Sequence, residues 1–349
     1  MSGWELFIEA AIKVIVAFVF LLVVTILLVW AERKIVGFMQ NRHGPMRAGP
    51  WGILQTLADG MKLFFKESMT PNRAEFALYI AAPIAALLPA LLIFMVIPLG
   101  APVTIGDSTY TLQGTDLNVG LLYFLALSSL AVYAVTLAGW SSGSKYPLLG
   151  SVRASAQMIS YEAAMGLALV PVIMFAGTTS IAGIVEAQQG DILGFLGPWN
   201  IVLLPSFAVF LIAGFAETNR APFDLVEAEQ EIVGGYHTEY SGLRFALFFL
   251  AEYINIFNIA ALTVTIFLGG WNGPVFGPGW LEAVLPVVWF LLKTSVLIFL
   301  FIWVRATLPR MRYDQLMAFG WKRLIPLSLV WIVLAMVALG VRRFGLPWT

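Results

Sequence analysis

Cysteine is absent from this 349-residue chain, and histidine occurs only at His43 and His237. The chain therefore cannot supply thiolates for an iron–sulfur cluster, a thiolate zinc site or a disulfide, and two histidines give little support to a histidine-ligated haem. Charged residues make up only 11% of the chain, against about 25% in soluble domains. The formal net charge is zero, so no overall field attracts nucleic acid. Any redox centre must belong to another chain.

Apolar residues dominate: 60% of the chain is hydrophobic, and the mean hydropathy is +0.87. At about 20 apolar residues per crossing, this content would fill about eight to ten membrane spans. Apolar runs lie near 11–31, 77–98, 118–140, 158–178, 200–216, 242–268, 284–304 and 323–341. Because these runs are continuous and do not alternate with polar residues, they exclude a closed β-barrel. The sequence predicts an all-α polytopic integral membrane protein with about eight transmembrane helices.

Lysine and arginine are distributed unevenly between the segments that join these spans. Basic residues occur in 32–76, 141–157, 217–241 and 305–322, whereas 99–117, 179–199 and 269–283 contain none. Cytoplasmic loops carry the excess of positive charge in membrane proteins. The distribution therefore predicts that the four basic segments are cytoplasmic, that both termini lie outside, and that residues 1–349 form a single transmembrane domain.

Charged residues inside apolar runs are candidates for function, because a charge at the centre of a bilayer costs about 2.5–3.5 kcal/mol or more. Three such residues are Glu162, Glu252 and Lys293. Two acids against one base leave a spare carboxylate that is suited to proton transfer. The alternative is a buried ion pair that only fixes helix packing.

The segment AETNRAPFDLVEAEQE at 216–231 concentrates acidic residues beside a membrane span. Its carboxylates are Glu217, Asp224, Glu227, Glu229 and Glu231, and Arg220 is the single cation. A short helix that begins at Pro222, with Thr218 or Asn219 as its cap, is compatible with the sequence. Such a helix would place Asp224, Glu227 and Glu231 on one face, where they cannot all ionise without cost. We expect a partly buried cluster with linked protonation; a solvated acidic loop is the alternative.

The first basic segment predicts an amphipathic helix. Gly44-Pro45 and Gly49-Pro50 interrupt the chain, and a helix is expected from Trp51 to about Lys66. Its apolar residues recur at helical spacing: Leu54, Leu57, Ala58, Met61, Phe64 and Phe65. The segment is too polar to span a bilayer and is suited to lying along the membrane interface. A simple surface anchor and the wall of an entry site for a lipid-soluble ligand are both consistent with it.

Four blocks of sequence carry a more specific pattern. They are ERKIVGFMQNRHGP and GPWGILQTLADGMKLFFKE within 32–67, GWSSGSKYPLLGSVRASAQMISYE at 139–162, AETNRAPFDLVEAEQEIVGGYHTEYSG at 216–242, and RATLPRMRYDQLM at 305–317. Together they resemble the quinone-site membrane subunit of NADH-quinone oxidoreductase, which is respiratory complex I. The order of the spans is similar to this family along nearly the whole chain.

The resemblance implies a subunit that forms the membrane side of a quinone chamber and couples quinone reduction to proton translocation. Quinone would be the substrate, FMN and iron–sulfur clusters would lie on partner subunits, and this chain would bind no cofactor. By matching motif positions, the residues at the chamber would be Arg33, Arg42, Asp59, Arg220, Phe223, Arg305 and Arg310. An acidic proton path would contain Glu162, Glu217, Asp224, Glu227, Glu229, Glu231 and Glu252.

The implied partners are the quinone-site subunits of the peripheral arm, neighbouring small membrane subunits, quinone and membrane lipid, but no nucleic acid. The implied location is the inner (plasma) membrane of a bacterium, as a multi-pass protein. Two alternatives stay open: the corresponding subunit of a membrane-bound hydrogenase, and a stand-alone ion-coupled transporter. The sequence has no convincing internal repeat, which disfavours the transporter.

Overall fold

The computed structural model describes residues 3–105, 108–189, 199–225, 233–276 and 280–344, and within these ranges the chain is mainly helical. The helices are α1 (Gly3–Met39), α2 (Leu54–Phe65), α3 (Phe76–Phe94), α4 (Gly120–Ser141), α5 (Lys145–Ala176), α6 (Ile181–Ala187), α7 (Trp199–Val202), α8 (Leu204–Glu217), α9 (Gly242–Phe267), α10 (Trp280–Thr307), α11 (Tyr313–Phe319) and α12 (Ile325–Phe344). Short 3₁₀ turns lie at Pro50–Gly52 and Gly235–His237, and a π-helical turn joins α11 to α12. Two three-residue strands, β1 (Val103–Ile105) and β2 (Ser108–Tyr110), form an antiparallel pair.

Seven of the described helical stretches are long and apolar enough to cross a membrane. They are most of α1, then α3, α4, α5, α9 and most of α10, and the stretch Tyr313–Val341 that contains α11 and most of α12. The predicted fifth span corresponds to α8, whose 14 residues extend about 21 Å at 1.5 Å per residue. That length is shorter than the hydrocarbon core of about 30 Å. The prediction of an all-α polytopic membrane protein is confirmed; the side on which the termini lie stays a prediction.

Two predicted loops are shorter than expected, because helices continue beyond their apolar runs. The fourth span was predicted to begin at 158, but α5 begins at Lys145, so most of 141–157 is helical. Pro147 does not interrupt α5, because it lies in the first turn, where its missing N–H is not needed. In the last basic segment, 305–322, only the residues between α10 and α11 are non-helical. A charged residue in these segments therefore does not mark the end of a helix.

The centre of the fold is formed by α5 and α9. Helices α3, α4 and α5 pack against one another in order, and α5 also contacts α8 and α12. Helix α9 packs against α1, α3 and α10, and much of its surface is buried, as at Ile254, Ala260 and Leu262. In contrast, α1 and α12 expose apolar side chains such as Ile15 and Val330. Such residues suit a surface that faces lipid or other subunits.

The predicted amphipathic helix forms as α2. A tight turn precedes it: Gly52 has a φ of +79°, and a Cβ there would lie 2.2 Å from the carbonyl oxygen of Pro45. The indole of Trp30 on α1 donates a hydrogen bond of 3.0 Å to the backbone oxygen of Trp51, which fixes the turn to α1. The exposed apolar residues of α2 are Leu54, Leu57, Met61, Phe64 and Phe65. A position along the membrane interface stays a prediction.

Candidate functional site

Glu32, near the end of α1, is the centre of a buried charge network. Its carboxylate accepts hydrogen bonds from Arg220, at 3.1 Å, and from Arg305 of α10. The hydroxyl of Tyr253 on α9 donates to the other carboxylate oxygen at 2.8 Å. The exposed fractions of Glu32 and Arg220 are only 7% and 5%. Three helices and the segment after α8 therefore converge on one carboxylate.

Arg220 joins Glu32 to a second acid, Glu252, which the sequence placed inside the sixth span. The Nε atom of Arg220 lies 2.9 Å from Glu252, and its guanidinium stacks 4.7 Å from the centre of the Tyr253 ring. Arg220 reaches this position because the chain turns sharply after α8, where Asn219 has a φ of +51°. Among the described residues, this network brings two guanidiniums, those of Arg220 and Arg305, together with the carboxylates of Glu32 and Glu252. Removal of one member would leave an uncompensated buried charge.

A cavity of about 780 Å³ lies against this network. Its polar lining consists of Glu32, Arg33, Gln40, Arg42, His43, Tyr253 and Arg305. Ligand sites in proteins typically enclose about 300–1,000 Å³, so the space is adequate for a ring-sized group with oxygen acceptors. The predicted residues Arg33, Arg42 and Arg305 therefore meet at one wall. The other four residues predicted at the chamber do not line this cavity: Asp59, Arg220, Phe223 and Arg310.

Asp59 is linked to the cavity through Arg33. The guanidinium of Arg33 donates to the Asp59 carboxylate at 2.6 Å, and Gln55 donates to its other oxygen at 3.2 Å. Desolvation works to raise the pKa of Asp59, but the hydrogen bonds from Arg33 and Gln55 and the charges of Arg33 and Lys62 outweigh it and hold the pKa below its usual value. The ionised pair joins α2 to α1 at the edge of the cavity. It thereby orients Arg33 toward that space.

A second, smaller cavity of about 50 Å³ connects two of the predicted acids. Its polar lining is Glu217, Thr218, Asn219, Tyr236, Glu252 and Asn255. A water molecule needs about 10–15 Å³ measured in this way, so the cavity has room for a few waters among polar side chains. Because Glu252 belongs to both this cavity and the Arg220 pair, the small cavity continues the charge network into the helical bundle.

Two consecutive serines on α4 hold the next two acids. Ser128 donates to Glu217, and Ser129 donates to Glu162 on α5. The second oxygen of Glu217, Oε2, is buried and has no hydrogen-bond partner among the described residues. Glu162 does not line the small cavity; it lies beside it, one serine further along α4. The small cavity connects Glu252 to Glu217, and the two serines connect Glu217 to Glu162; these three residues, in this order, are called the row of acids.

The acidic segment after α8 departs from its expected structure. Pro222 lies in a turn after a cis peptide bond, and Phe223 to Leu225 are not helical, so the prediction that a helix begins at Pro222 was wrong. Thr218 does not cap a following helix, because its hydroxyl donates back to the carbonyls of Gly214 and Phe215. The predicted site residues Glu227, Glu229 and Glu231 lie outside the described residues.

Phe223, Asp224 and Arg310 meet away from the large cavity. Arg310, between α10 and α11, donates to the Asp224 carboxylate at 3.0 Å. Phe223 is buried, with its ring centre 5.3 Å from that of Tyr161 on α5. The backbone N–H of Met311 donates to the carbonyl of Pro222 at 3.0 Å. These contacts attach the last basic segment to the acidic segment.

Lys293, the remaining charged residue of the apolar runs, binds backbone rather than lining either cavity. Its ammonium donates to the carbonyls of Leu268, Gly270 and Asn272 at 2.8, 3.2 and 2.6 Å. These carbonyls follow the end of α9, where helical hydrogen bonds stop and acceptors are left over. This contact gives Lys293 a role in fixing the chain after α9.

Sequence comparisons show the family to which the chain belongs. A family model described as NADH dehydrogenase matches residues 12–336. The H-type subunits of NADH-quinone oxidoreductase from Frankia casuarinae and Frankia alni are each 52% identical to this chain over 328 residues, which is 92% of the chain and 71% of each relative. The chain belongs to the NADH dehydrogenase family, with these two Frankia proteins among its relatives.

Proposed function

We propose that this chain is the membrane subunit of a proton-translocating NADH:quinone oxidoreductase and forms the membrane side of its quinone chamber. The observation that carries the proposal is the convergence of Glu32, Arg305 and Tyr253 at the wall of the large cavity, where Glu32 is also paired with the buried Arg220. The printed names of the Frankia relatives support the same activity.

The side chains that would donate hydrogen bonds to the quinone oxygens are Arg33, Arg42 and Arg305. Quinone carbonyl oxygens accept hydrogen bonds, and guanidiniums donate them in a fixed geometry. The positive charge of these side chains would stabilise the negative charge that develops on the ring during reduction. No cofactor is needed on this chain, because FMN and iron–sulfur clusters on partner subunits supply the electrons.

The row of acids supplies the proposed link to proton transfer. When charge develops on the quinone, Arg305 responds first, because it lines the cavity and binds Glu32. Arg220 passes the change in potential to Glu252, which lines the small cavity together with Glu217. Glu162 follows through the adjacent serines. The resemblance of the sequence to the family supports four further members of the same path: Asp224, Glu227, Glu229 and Glu231.

The proposed setting is the inner (plasma) membrane of a bacterium, where the chain contacts peripheral-arm quinone-site subunits, small membrane subunits and lipid. Helices α1 and α2 would border the entrance for the isoprenoid tail, because both expose apolar side chains and the Arg33–Asp59 pair joins them at the edge of the large cavity. A photoreactive quinone analogue should label these helices, and labelling confined to the segment 99–117 would contradict this entrance.

Replacement of Glu32 tests the charge network directly. We expect Glu32→Gln, in the assembled complex, to lower NADH:quinone reductase turnover by at least about tenfold, equivalent to about 1.4 kcal/mol of lost stabilisation. Glu9→Gln is the matched control, because Glu9 is on the same helix and pairs with Lys13 at 2.9 Å far from the cavity. NADH oxidation by an artificial acceptor that draws electrons from the peripheral arm should be unchanged in both. Wild-type quinone turnover in Glu32→Gln would overturn the proposed function.

A further inference from the structure

A basic depression lies at the end of the bundle where α3 begins and α4 ends. It has a volume of about 420 Å³ and is separate from both cavities of the candidate site. Its charged lining consists of Arg73, Lys145 and Glu239. One wall is completed by Tyr146 together with Ser142, Gly143 and Ser144. The depression therefore carries two cations against one carboxylate.

Arg73 and Lys145 are available to an external ligand. Within the parts of the chain that the structure describes, neither side chain forms an ion pair or a hydrogen bond. This differs from Arg33, Arg220, Arg305 and Arg310, each of which binds a carboxylate. Two basic side chains that line an open space, neither of them ion-paired and with only one carboxylate in the same lining, favour an anion from outside the chain.

The backbone around the depression is held firmly, so the backbone positions of Arg73 and Lys145 stay fixed relative to each other. The N–H of Glu75, before α3, donates to the carbonyl of Ser141, at the end of α4, at 2.9 Å. Gly143 has a φ of +63°, and a Cβ there would lie 2.5 Å from the carbonyl oxygen of Arg73. The turn between α4 and α5 therefore packs directly against the segment that carries Arg73. This packing is possible only because residue 143 is glycine.

The depression lies at the level where membrane spans begin and end. Arg73 precedes α3 by three residues and Lys145 is the first residue of α5, and both α3 and α5 are candidate spans. Three exposed side chains follow Lys145 along α5. They are Tyr146, Leu149 and Val152, with exposed fractions of 55%, 58% and 57%. An exposed aromatic ring at the end of a span, with aliphatic residues one and two turns further, suits contact with a lipid headgroup and its acyl chain.

We infer that this depression binds the phosphate of an anionic phospholipid, with Arg73 and Lys145 as the phosphate ligands and the Leu149–Val152 side of α5 as the acyl-chain contact. Basic pockets between transmembrane helices recognise anionic headgroups in this way. Guanidinium binds phosphate with two parallel hydrogen bonds, and ammonium adds a point charge. Glu239 reduces the positive charge without cancelling it, and limits the site to one phosphate.

Photolabelling of the assembled complex tests the site. The complex is placed in phosphatidylcholine vesicles that contain a trace of photoreactive phosphatidylglycerol, and the labelled peptides are identified by mass spectrometry. We expect labelling between residues 140 and 152, reduced at least fivefold in the double variant Arg73→Gln/Lys145→Gln. Lys322→Gln/Arg323→Gln is the matched control, because it removes the same charge from exposed residues outside the depression, and it should leave that labelling unchanged.

Several outcomes would overturn the inference. Equal labelling by a photoreactive phosphatidylcholine would show apolar contact without recognition of the anion. Unchanged labelling in the double variant would show that the two cations are not the ligands. Suppression of the labelling by inorganic phosphate alone would assign the depression to a soluble anion, and a cross-link to an acidic peptide of a partner subunit would assign it to a protein contact. Because quinone turnover is measured separately in the Glu32 experiment, failure here leaves the proposed function untouched.

Discussion

Glu32 and Arg220 lie 188 residues apart in the chain and form an ion pair of 3.1 Å in which both side chains are almost completely buried. The same guanidinium reaches Glu252 at 2.9 Å, so one arginine neutralises parts of two carboxylates from two helices. Buried ion pairs contribute little net stability when intact, but loss of one partner leaves a charge without compensation. The Glu32–Arg220 pair therefore affects the stability of the fold most strongly when one of its two residues is removed.

Arg220→Gln should destabilise the subunit by about 3–5 kcal/mol, because Glu32 and Glu252 would then be buried with less opposing charge. Arg220→Lys keeps the charge but lacks the planar fork that binds two acids, so we expect a smaller loss. The measurement is the temperature at which the purified complex loses this subunit. The exposed Arg312, which pairs with Asp314 at 3.3 Å, provides the control Arg312→Gln, for which a shift of less than about 1 kcal/mol is expected. Equal shifts in the two variants would contradict the buried network.

The helical architecture could be predicted from local patterns, whereas Arg33, Arg42 and Arg305 were predicted at the cavity from the resemblance to a known family. Continuous apolar runs indicate spans, and Arg33, Arg42 and Arg305 follow or end such runs. Glu32 was missed as a site residue, although it is the first charge after 18 uncharged residues, 14–31. At that position a charge is most simply interpreted as the end of a span.

Pairing between distant segments could not be predicted from periodicity. Ser128 and Ser129 were missed because hydroxyls in membrane helices commonly bond to their own helix, as Ser129 also does with the carbonyl of Leu125 at 3.0 Å. The contact of Tyr253 with Glu32 spans 221 residues and depends on how α9 packs against α1. Likewise, helical periodicity does not predict that the ammonium of Lys293 binds three backbone carbonyls that lie 25, 23 and 21 residues earlier in the chain.

Burial beside Phe245 and Phe249, two aromatic rings of α9, lowers the pKa of His237 to about 4. Since the ordinary value is about 6.5, the neutral form is favoured in the fold. Its stabilising effect is complete above pH 6.5 and is lost as pH falls from 6.5 to about 4, because the unfolded chain then binds more protons. The loss over this range is on the order of 3 kcal/mol.

His237→Phe should remove this part of the acid sensitivity while it keeps an aromatic ring in the same place. The measurement is the thermal stability of the purified complex at several pH values between 7 and 4, as the difference between variant and wild type. His43→Gln removes the other histidine of the chain and serves as the control. A difference between wild type and His237→Phe that does not change with pH would show that His237 does not titrate in the fold as expected.

Lys293→Met should weaken the segment after α9, because three backbone carbonyls lose a charged donor. Hydrogen bonds to a charged group are worth about 1.5–3 kcal/mol each, and we expect a net loss of about 3 kcal/mol after methionine recovers part of the packing. Turnover per assembled complex should not change, since Lys293 lines neither cavity. Ser295→Ala, on the same helix with a hydrogen bond only to Leu291, is the control and should have little effect. If Lys293→Met assembles fully but loses turnover, Lys293 takes part in the reaction and does not only stabilise the segment after α9.

Glu217→Gln tests the small cavity as a route for protons. Gln preserves the shape of the side chain and the contact with Ser128 but cannot release a proton, so we expect proton translocation and quinone reductase turnover to fall together. The expected loss is on the order of a hundredfold, which is the low end for a side chain that transfers protons. Glu162→Gln, which changes an acid beside the cavity rather than in its wall, should have a similar or milder effect. Glu186→Gln is the matched control, because Glu186 lies on α6, remote from both cavities.

Two measurements separate a proton path from a structural role for Glu217. Transfer of electrons from NADH to an artificial acceptor should stay normal in Glu217→Gln, because that reaction does not reach the membrane subunit. Ser128→Ala should show a weaker loss than Glu217→Gln and should shift the pH profile of quinone reduction, because it removes a hydrogen bond from the carboxylate while leaving the proton-transferring group in place. If Glu217→Gln assembles and translocates protons at the wild-type rate, the acids around the small cavity only fill space between the helices. In that case the coupling of this subunit must rely on residues beyond the row of Glu252, Glu217 and Glu162.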